Sequence, residues 1–256
     1  MIQVQPQIFN FLFMLKRNII LLFAFVAIAG SINAQVRPGL KLGYNLSGVM
    51  ADYTGRELSP NPNAAGDPDN LHMKSGFQFG LIADCPINES FTIQPGARFA
   101  IQGFTDKYTS HGNVTRKFSL FYLQVPVYAQ YKMNIAEETN LLFQAGPYAG
   151  FGLFGRQKFV RKGKSQDLND TQKKITFGGN SSDDIKAFDF GIGAGVGIEF
   201  YRFQLVAAYD FGLKQSAFEK KDAKSASYYL DMRNHNLSVT LAFVFGRKDP
   251  LQKNAD

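Results

Sequence analysis

From Val36 onward the chain carries a two-residue hydrophobic period and almost no helical one. In the run Phe188 to Phe200 every even position is apolar, while the odd positions hold only glycine or an acid: Asp189, Gly191, Gly193, Gly195, Gly197 and Glu199. Residues 203–213 repeat the arrangement with Phe203, Leu205, Ala207, Tyr209, Phe211 and Leu213, and 237–245 with Leu237, Val239, Leu241, Phe243 and Phe245. Successive side chains of an extended chain point to opposite faces, so this alternation predicts strands with two chemically different surfaces. Strands are predicted near 36–47, 75–85, 91–103, 118–132, 141–154, 187–201, 203–214 and 234–245. None of their apolar faces carries a charge. Pro95, Pro126 and Pro147 fall inside three of them, where a missing N–H breaks a ladder bond, so local bulges are expected there.

A soluble barrel and a membrane barrel both alternate, and three features separate them. The second face is not a lysine- and glutamate-rich solvated surface. It is glycine and glutamine with isolated charges, Lys41, Asp84, Arg98, Lys132, Asp189, Glu199 and Asp210, a set able to pair inside a narrow lumen. The connections alternate in length: those at 86–90, 133–140 and 201–202 are short, and those near 48–74, 104–117, 155–186 and 215–233 are long and polar. Phe and Tyr recur at the ends of the apolar faces (Tyr44, Phe91, Phe121, Tyr131, Phe188, Phe200, Phe203), as an interfacial girdle requires. The fold class expected is all-β: an eight-stranded antiparallel transmembrane β-barrel.

The N-terminus changes the domain picture. Lys16 and Arg17 precede an apolar run, Ile19 to Ile28, and then a small-residue stretch ending at Ala34. The run is too short to span a bilayer as a helix, which needs about 20 apolar residues. Residues 1–34 are therefore expected to be a signal peptide cleaved after Ala34, with Met14 a more natural start than Met1, so that 1–13 reads as a spurious extension. The expected domains are the signal segment 1–34, the barrel 35–245 and a polar tail 246–256. Composition agrees with this division. The 25 Phe of a Trp-free chain are mostly alternate residues of strands, and the net charge of +7 falls to +5 for 35–256. One Cys rules out a disulfide scaffold and any thiolate zinc site. Three His, none at i, i+4 spacing, argue against a histidine metal site.

The segments around the prolines carry a resemblance. Gln94-Pro95-Gly96-Ala97-Arg98, the run Tyr122 to Lys132 and Gly146-Pro147-Tyr148-Ala149-Gly150 resemble the PorT-like outer-membrane β-barrel family, as do Gly39 to Ser47 and Gly76 to Gly80. The resemblance covers roughly 35–245. It implies an integral outer-membrane protein of a Gram-negative bacterium, and the family offers no catalytic motif to carry over. Members have been linked to protein secretion, but the N-terminal aromatic and acidic stretch of those members is missing here. A second departure is the polar tail after Phe245, which would make a terminal-aromatic assembly signal internal.

Candidate chemistry is sparse. Gly150 to Gly155 matches GxGxxG, but it leads into a basic segment with no helical period, so strand glycines facing a lumen explain it better than a dinucleotide loop. Asp67, Asp69 and Asn70 offer oxygens without the rest of a calcium loop. His235 has no serine on its face, and His72 and His111 have no evident orienting acid, which leaves little for a lipid A hydrolase. Arg156, Lys158, Arg161, Lys162, Lys164, Lys173 and Lys174 form a basic loop able to bind anionic glycans or lipopolysaccharide phosphates, with a plain solvated loop as the competing reading. No catalytic, cofactor-binding or metal-binding residue is predicted, and no cofactor. The expected partners are outer-membrane lipids and lipopolysaccharide, with envelope proteins beyond them and no nucleic acid. Three functions compete: a non-enzymatic barrel acting through its long loops, a narrow channel for small solutes or ions, and a lipid A-modifying hydrolase. The alternation itself predicts that the mature chain enters the detergent phase and migrates differently on gels before and after heating. Recovery in the aqueous phase without detergent would contradict it.

Overall fold

A computed structural model describes residues 36–53, 71–108, 114–161, 172–178, 185–213 and 230–246. The expected signal segment 1–34, Asp67, Asp69, Asn70, His111, Lys162, Lys164 and the tail from residue 247 lie outside them. Twelve strands run through the described residues: β1 (Arg37–Tyr53), β2 (Leu71–Pro86), β3 (Phe91–Gln102), β4 (Phe104–Tyr108), β5 (Val114–Ala136), β6 (Thr139–Arg161), β7 (Gln172–Ile175), β8 (Phe177–Gly178), β9 (Ile185–Lys186), β10 (Phe188–Phe200), β11 (Phe203–Gly212) and β12 (Leu230–Val244).

Antiparallel pairing passes from β1 through β2, β3, β5, β6, β10, β11 and β12 and returns to β1, a closed ring through eight of the strands. β4 continues the line of β3 beyond Gly103, β7 adds to the far end of β6, and β8 and β9 pair in parallel over two residues. The sheet is thus all-β and antiparallel in its ring.

Burial along these strands runs opposite to that of a soluble protein. Leu42 is 65% exposed, Phe77 66% and Leu241 51%, while Asn45 and Gln204 are fully buried. Outward rows of Leu, Phe, Val and Ile surround inward rows of Gln, Asn, Asp, Glu, Lys and Arg. Only an apolar solvent outside makes that distribution favourable. Aromatic contacts stand at both margins of the outer face. Phe203 packs on Phe243 at 5.1 Å and Phe91 on Tyr131 at 5.1 Å near the short turns; Phe121 stacks on Phe154 at 4.2 Å toward the other end.

The three described short connections share one end of the barrel. Asn88 closes the first, its Oδ1 accepting the backbone N–H groups of Ser90 (3.0 Å) and Phe91 (2.8 Å). The second and third touch each other, Tyr201 N–H donating to the Glu138 carbonyl at 3.0 Å. The first strand and the end of the last meet here too, with Phe245 N–H on the Pro38 carbonyl at 2.7 Å. In outer-membrane barrels this is the periplasmic end, and the longer connections face outward.

Two expectations need correction. The prolines produce no bulge. Pairing of β3 with β5 omits Gly96 and Ala97 and resumes in the same register at Arg98, and pairing of β5 with β6 omits Val127 and Tyr128 and resumes at Ala129. A lost donor costs ladder bonds, but the flanking pairs hold the alignment. The register shifts of β5 against β6 lie instead at Phe121/Tyr122 and Asn134/Ala136. Second, β5 and β6 each reach 23 residues, well past the predicted 118–132 and 141–154. The apolar signal ends where lipid contact ends, while backbone pairing continues into water.

The inverted burial has a direct energetic consequence. Val239→Arg, midway along the outer face of β12, is expected to destabilise the folded barrel in lipid by about 2–4 kcal/mol, and Leu213→Arg at the margin by about 0–1 kcal/mol. Reversible urea unfolding in vesicles measures both; equal costs would contradict the membrane placement.

Candidate functional site

The ring has an interior just wide enough for side chains, and the inward positions fill it in layers. Near the short turns, Lys132 Nζ donates to Glu199 Oε2 at 2.8 Å and lies 3.3 Å from both Asp84 oxygens. Arg37 also pairs with Asp84. Gln94 ties this layer together: it accepts from Lys41 Nζ at 3.1 Å and donates to Asp84 (3.3 Å) and to Gln204 (3.0 Å). Gln204 and Asn140 in turn donate to the two oxygens of Glu199. Halfway up, Arg98 donates to Asp210 at 2.6 Å and to Gln124 at 2.8 Å, and Asp210 also accepts from Tyr128 (2.9 Å) and Asn236 (3.3 Å). Higher again, Asp189 accepts from Asn234 at 3.2 Å and Tyr148 at 3.5 Å.

All seven sequence-predicted lumen charges therefore face inward, in three layers rather than one cluster. Arg37 joins them, which sets Arg37, Lys41, Arg98 and Lys132 against Asp84, Asp189, Glu199 and Asp210. Equal numbers matter, because a buried charge without a partner is far costlier than a paired one. Glycine makes the room. A Cβ on Gly193 would stand 2.4 Å from Asp210 Oδ1, and one on Gly191 would stand 2.7 Å from the Tyr148 ring. What remains beside Lys41, Gln94 and Arg98 is a cavity of about 20 Å³, the space of roughly one water.

Above the polar layers, inside the outer end, sits an apolar plug. Phe104, Phe118, Leu120 and Tyr122 of the wall meet Ile175 and Ile185, with Phe177 packed against them. Phe177 crosses Tyr122 edge-on at 5.7 Å and lies where a side chain at Gly152 would be, 2.3 Å from its Cβ position. The segment expected as a solvated basic loop thus turns three apolar residues into the mouth. The GxGxxG run is likewise strand, with Gly152 and Gly155 serving as seats for Phe177 and Ile175.

Its basic residues sort differently. At the Phe121/Tyr122 shift Leu153 is the extra residue, so Leu153 and Phe154 both face outward and the parity of β6 reverses. Arg156 and Lys158 consequently point away from the lumen, and β7 sets Lys174 beside Arg156. Lys173 is exposed opposite Gln157, and Arg161 ends β6. Sequence reasoning missed Arg37, the bridging Gln94 and Gln204, and the plug residues. The glutamines had a usable signal, inward parity; isolated apolar residues in a polar segment had none. His235 rests its ring 6.2 Å from Tyr209 and over Gly48, and His72 is exposed on β2.

The family described as outer membrane protein beta-barrel domain matches residues 24–217. No curated relative matches the chain. Among solved structures, OprG from Pseudomonas aeruginosa is similar at 11% identity and TM-score 0.41, covering 83% of this chain and 97% of that one. Ail of Yersinia pestis, solved with the heparin analogue sucrose octasulfate, is similar at 14% identity and TM-score 0.35, covering 82% and 99%. A major outer membrane protein of Thermus thermophilus is similar at 11% identity and TM-score 0.38, covering 80% and 99%.

The middle layer yields a stability test. Arg98→Met leaves Asp210 buried without its cation and is expected to cost about 3–5 kcal/mol, whereas Arg98→Met with Asp210→Leu restores part of that loss. Unfolding in vesicles compares them; a double variant as unstable as the sum of the singles would contradict the pairing.

Proposed function

The chain belongs to the outer membrane protein beta-barrel domain family and is an outer-membrane protein, and from that premise we propose that it works as a sealed, non-enzymatic barrel whose long outward connections are its working surface. The observation that carries this reading is the filled lumen. Three polar layers turn their donors and acceptors on one another, and Phe177 and Ile175 stop the outer mouth. Among the described residues such an interior offers solutes neither a wet path nor an exposed nucleophile beside a base.

Within this reading the barrel is a holder. It fixes where β5, β6 and β7 leave the membrane and what they present there. The PorT-like assignment, the Gram-negative envelope and cleavage after Ala34 belong to the same proposal, supported by the proline-centred segments and the N-terminal run. Lipopolysaccharide and envelope proteins are the partners such a surface would meet.

Conductance measures the seal. In planar bilayers the purified protein is expected to give no steps above baseline, and removal of the plug by Phe177→Ala with Ile175→Ala is not expected to open it, because the layers below remain. Regular conductance steps from the wild-type protein would overturn the reading in favour of a channel, and altered lipid A masses on expression would overturn it in favour of an enzyme.

A further inference from the structure

Above the stacked pair Phe121 and Phe154, the outer wall changes character within one row of residues. The next outward row across β5, β6 and β7 is Ser119, Arg156 and Lys174, and the row after it is Lys117 and Lys158. Lys107 of β4 follows, opposite Thr115. Lys107, Lys117, Arg156 and Lys174 are exposed. Two residues along a strand tilted by 35–45° raise a side chain by roughly 5 Å. Arg156 and Lys174 therefore sit one step beyond the aromatic margin of the lipid-facing band.

The register creates an electrostatic cost. Arg156 stands directly opposite Lys174. Like charges directly opposed on one sheet face are destabilising. Among the described residues no acid shares the row of Arg156 and Lys174. The acid of β4, Asp106, is buried and pairs with Arg116 at 3.6 Å. The Leu153 bulge is what brings this about, since continued alternation would have turned Arg156 and Lys158 inward and Gln157 outward. An anion bound on the outside would offset the repulsion between Arg156 and Lys174.

We propose that this rim binds the phosphate groups of outer-leaflet lipids, with Arg156, Lys174 and Lys117 as its principal contacts. A guanidinium takes a phosphate through two parallel hydrogen bonds, and the lysines supply point charges beside it. Lipid phosphates lie at the boundary of the hydrocarbon, where the aromatic margin ends; a soluble anion has no reason to prefer that height. The basic residues of the loop thus act at its root on the barrel wall. This deepens the reading above and rests on its outward orientation of the long connections.

The test uses the folded full chain in phosphatidylcholine nanodiscs supplied with bisphosphorylated lipid A, native mass spectrometry counting the lipid retained. Retention is expected to fall at least about tenfold for Lys117→Gln/Arg156→Gln/Lys174→Gln, and by a similar factor when wild-type protein meets dephosphorylated lipid A. Inorganic phosphate at equal concentration is expected not to displace the lipid. Equal retention by the variant, equal retention of the dephosphorylated lipid, or displacement by inorganic phosphate would each overturn the proposal. Heat-modifiability confirms that the variant is folded, and Lys174→Gln alone, expected to lower retention measurably, serves if the triple variant is not. Conductance read on the same preparation separates the two readings, since an open barrel would overturn the seal and leave the rim untouched.

Discussion

Hydrocarbon offers no hydrogen-bond partner to a peptide group, so a sheet that crosses it must satisfy every backbone donor and acceptor within itself. Here that requirement is met by the return of β12 onto β1, from Gly39 opposite Val244 to Tyr53 opposite Leu230. With the ring closed, its eight strands leave no open edge in the membrane-spanning part of the wall. The rest of the architecture follows from closure. The outer face must be apolar and the inner face must be whatever can fill a narrow polar tube. The period of two along each strand is the only way for one chain to supply both.

Filling the tube is the harder half. The lumen charges have given up most of their water, and the layers replace it with amides, phenols and opposite charges. Gln94 illustrates the economy, linking Lys41, Asp84 and Gln204 from one side chain. Glycine on β10 performs the complementary task by leaving space for Asp210, Tyr128 and Tyr148. At the outer end the strategy changes from polar pairing to apolar packing, and the change coincides with the bulge at Leu153. One extra residue there both turns Gly155 inward as the seat of Ile175 and rotates the following basic residues to the outside.

Much of this is legible in the order of residues alone. The run Phe188 to Phe200 states its two faces outright, and the inward charges are isolated within glycine and glutamine, unlike any solvated surface. Other features leave no such trace. Leu153 and Phe154 are both apolar, so a parity reversal between them looks like ordinary strand. The prolines were an obvious place for irregularity, yet the neighbouring strands hold register across them. Strand length beyond the girdle is set by backbone pairing, which leaves no hydrophobic signature. Ile175 and Ile185 acquire meaning only when the mouth they close is in view.

The claim on which everything rests is that odd-numbered positions of β11 face lipid and even-numbered ones face the lumen. The chain contains no Trp, so single tryptophans placed successively from Leu205 to Tyr209 report their own surroundings. In vesicles of brominated lipid, quenching should alternate with a period of two, strong at 205, 207 and 209 and weak at 206 and 208. Quenching that is uniform along the strand, or absent throughout, would contradict the barrel and its membrane placement together.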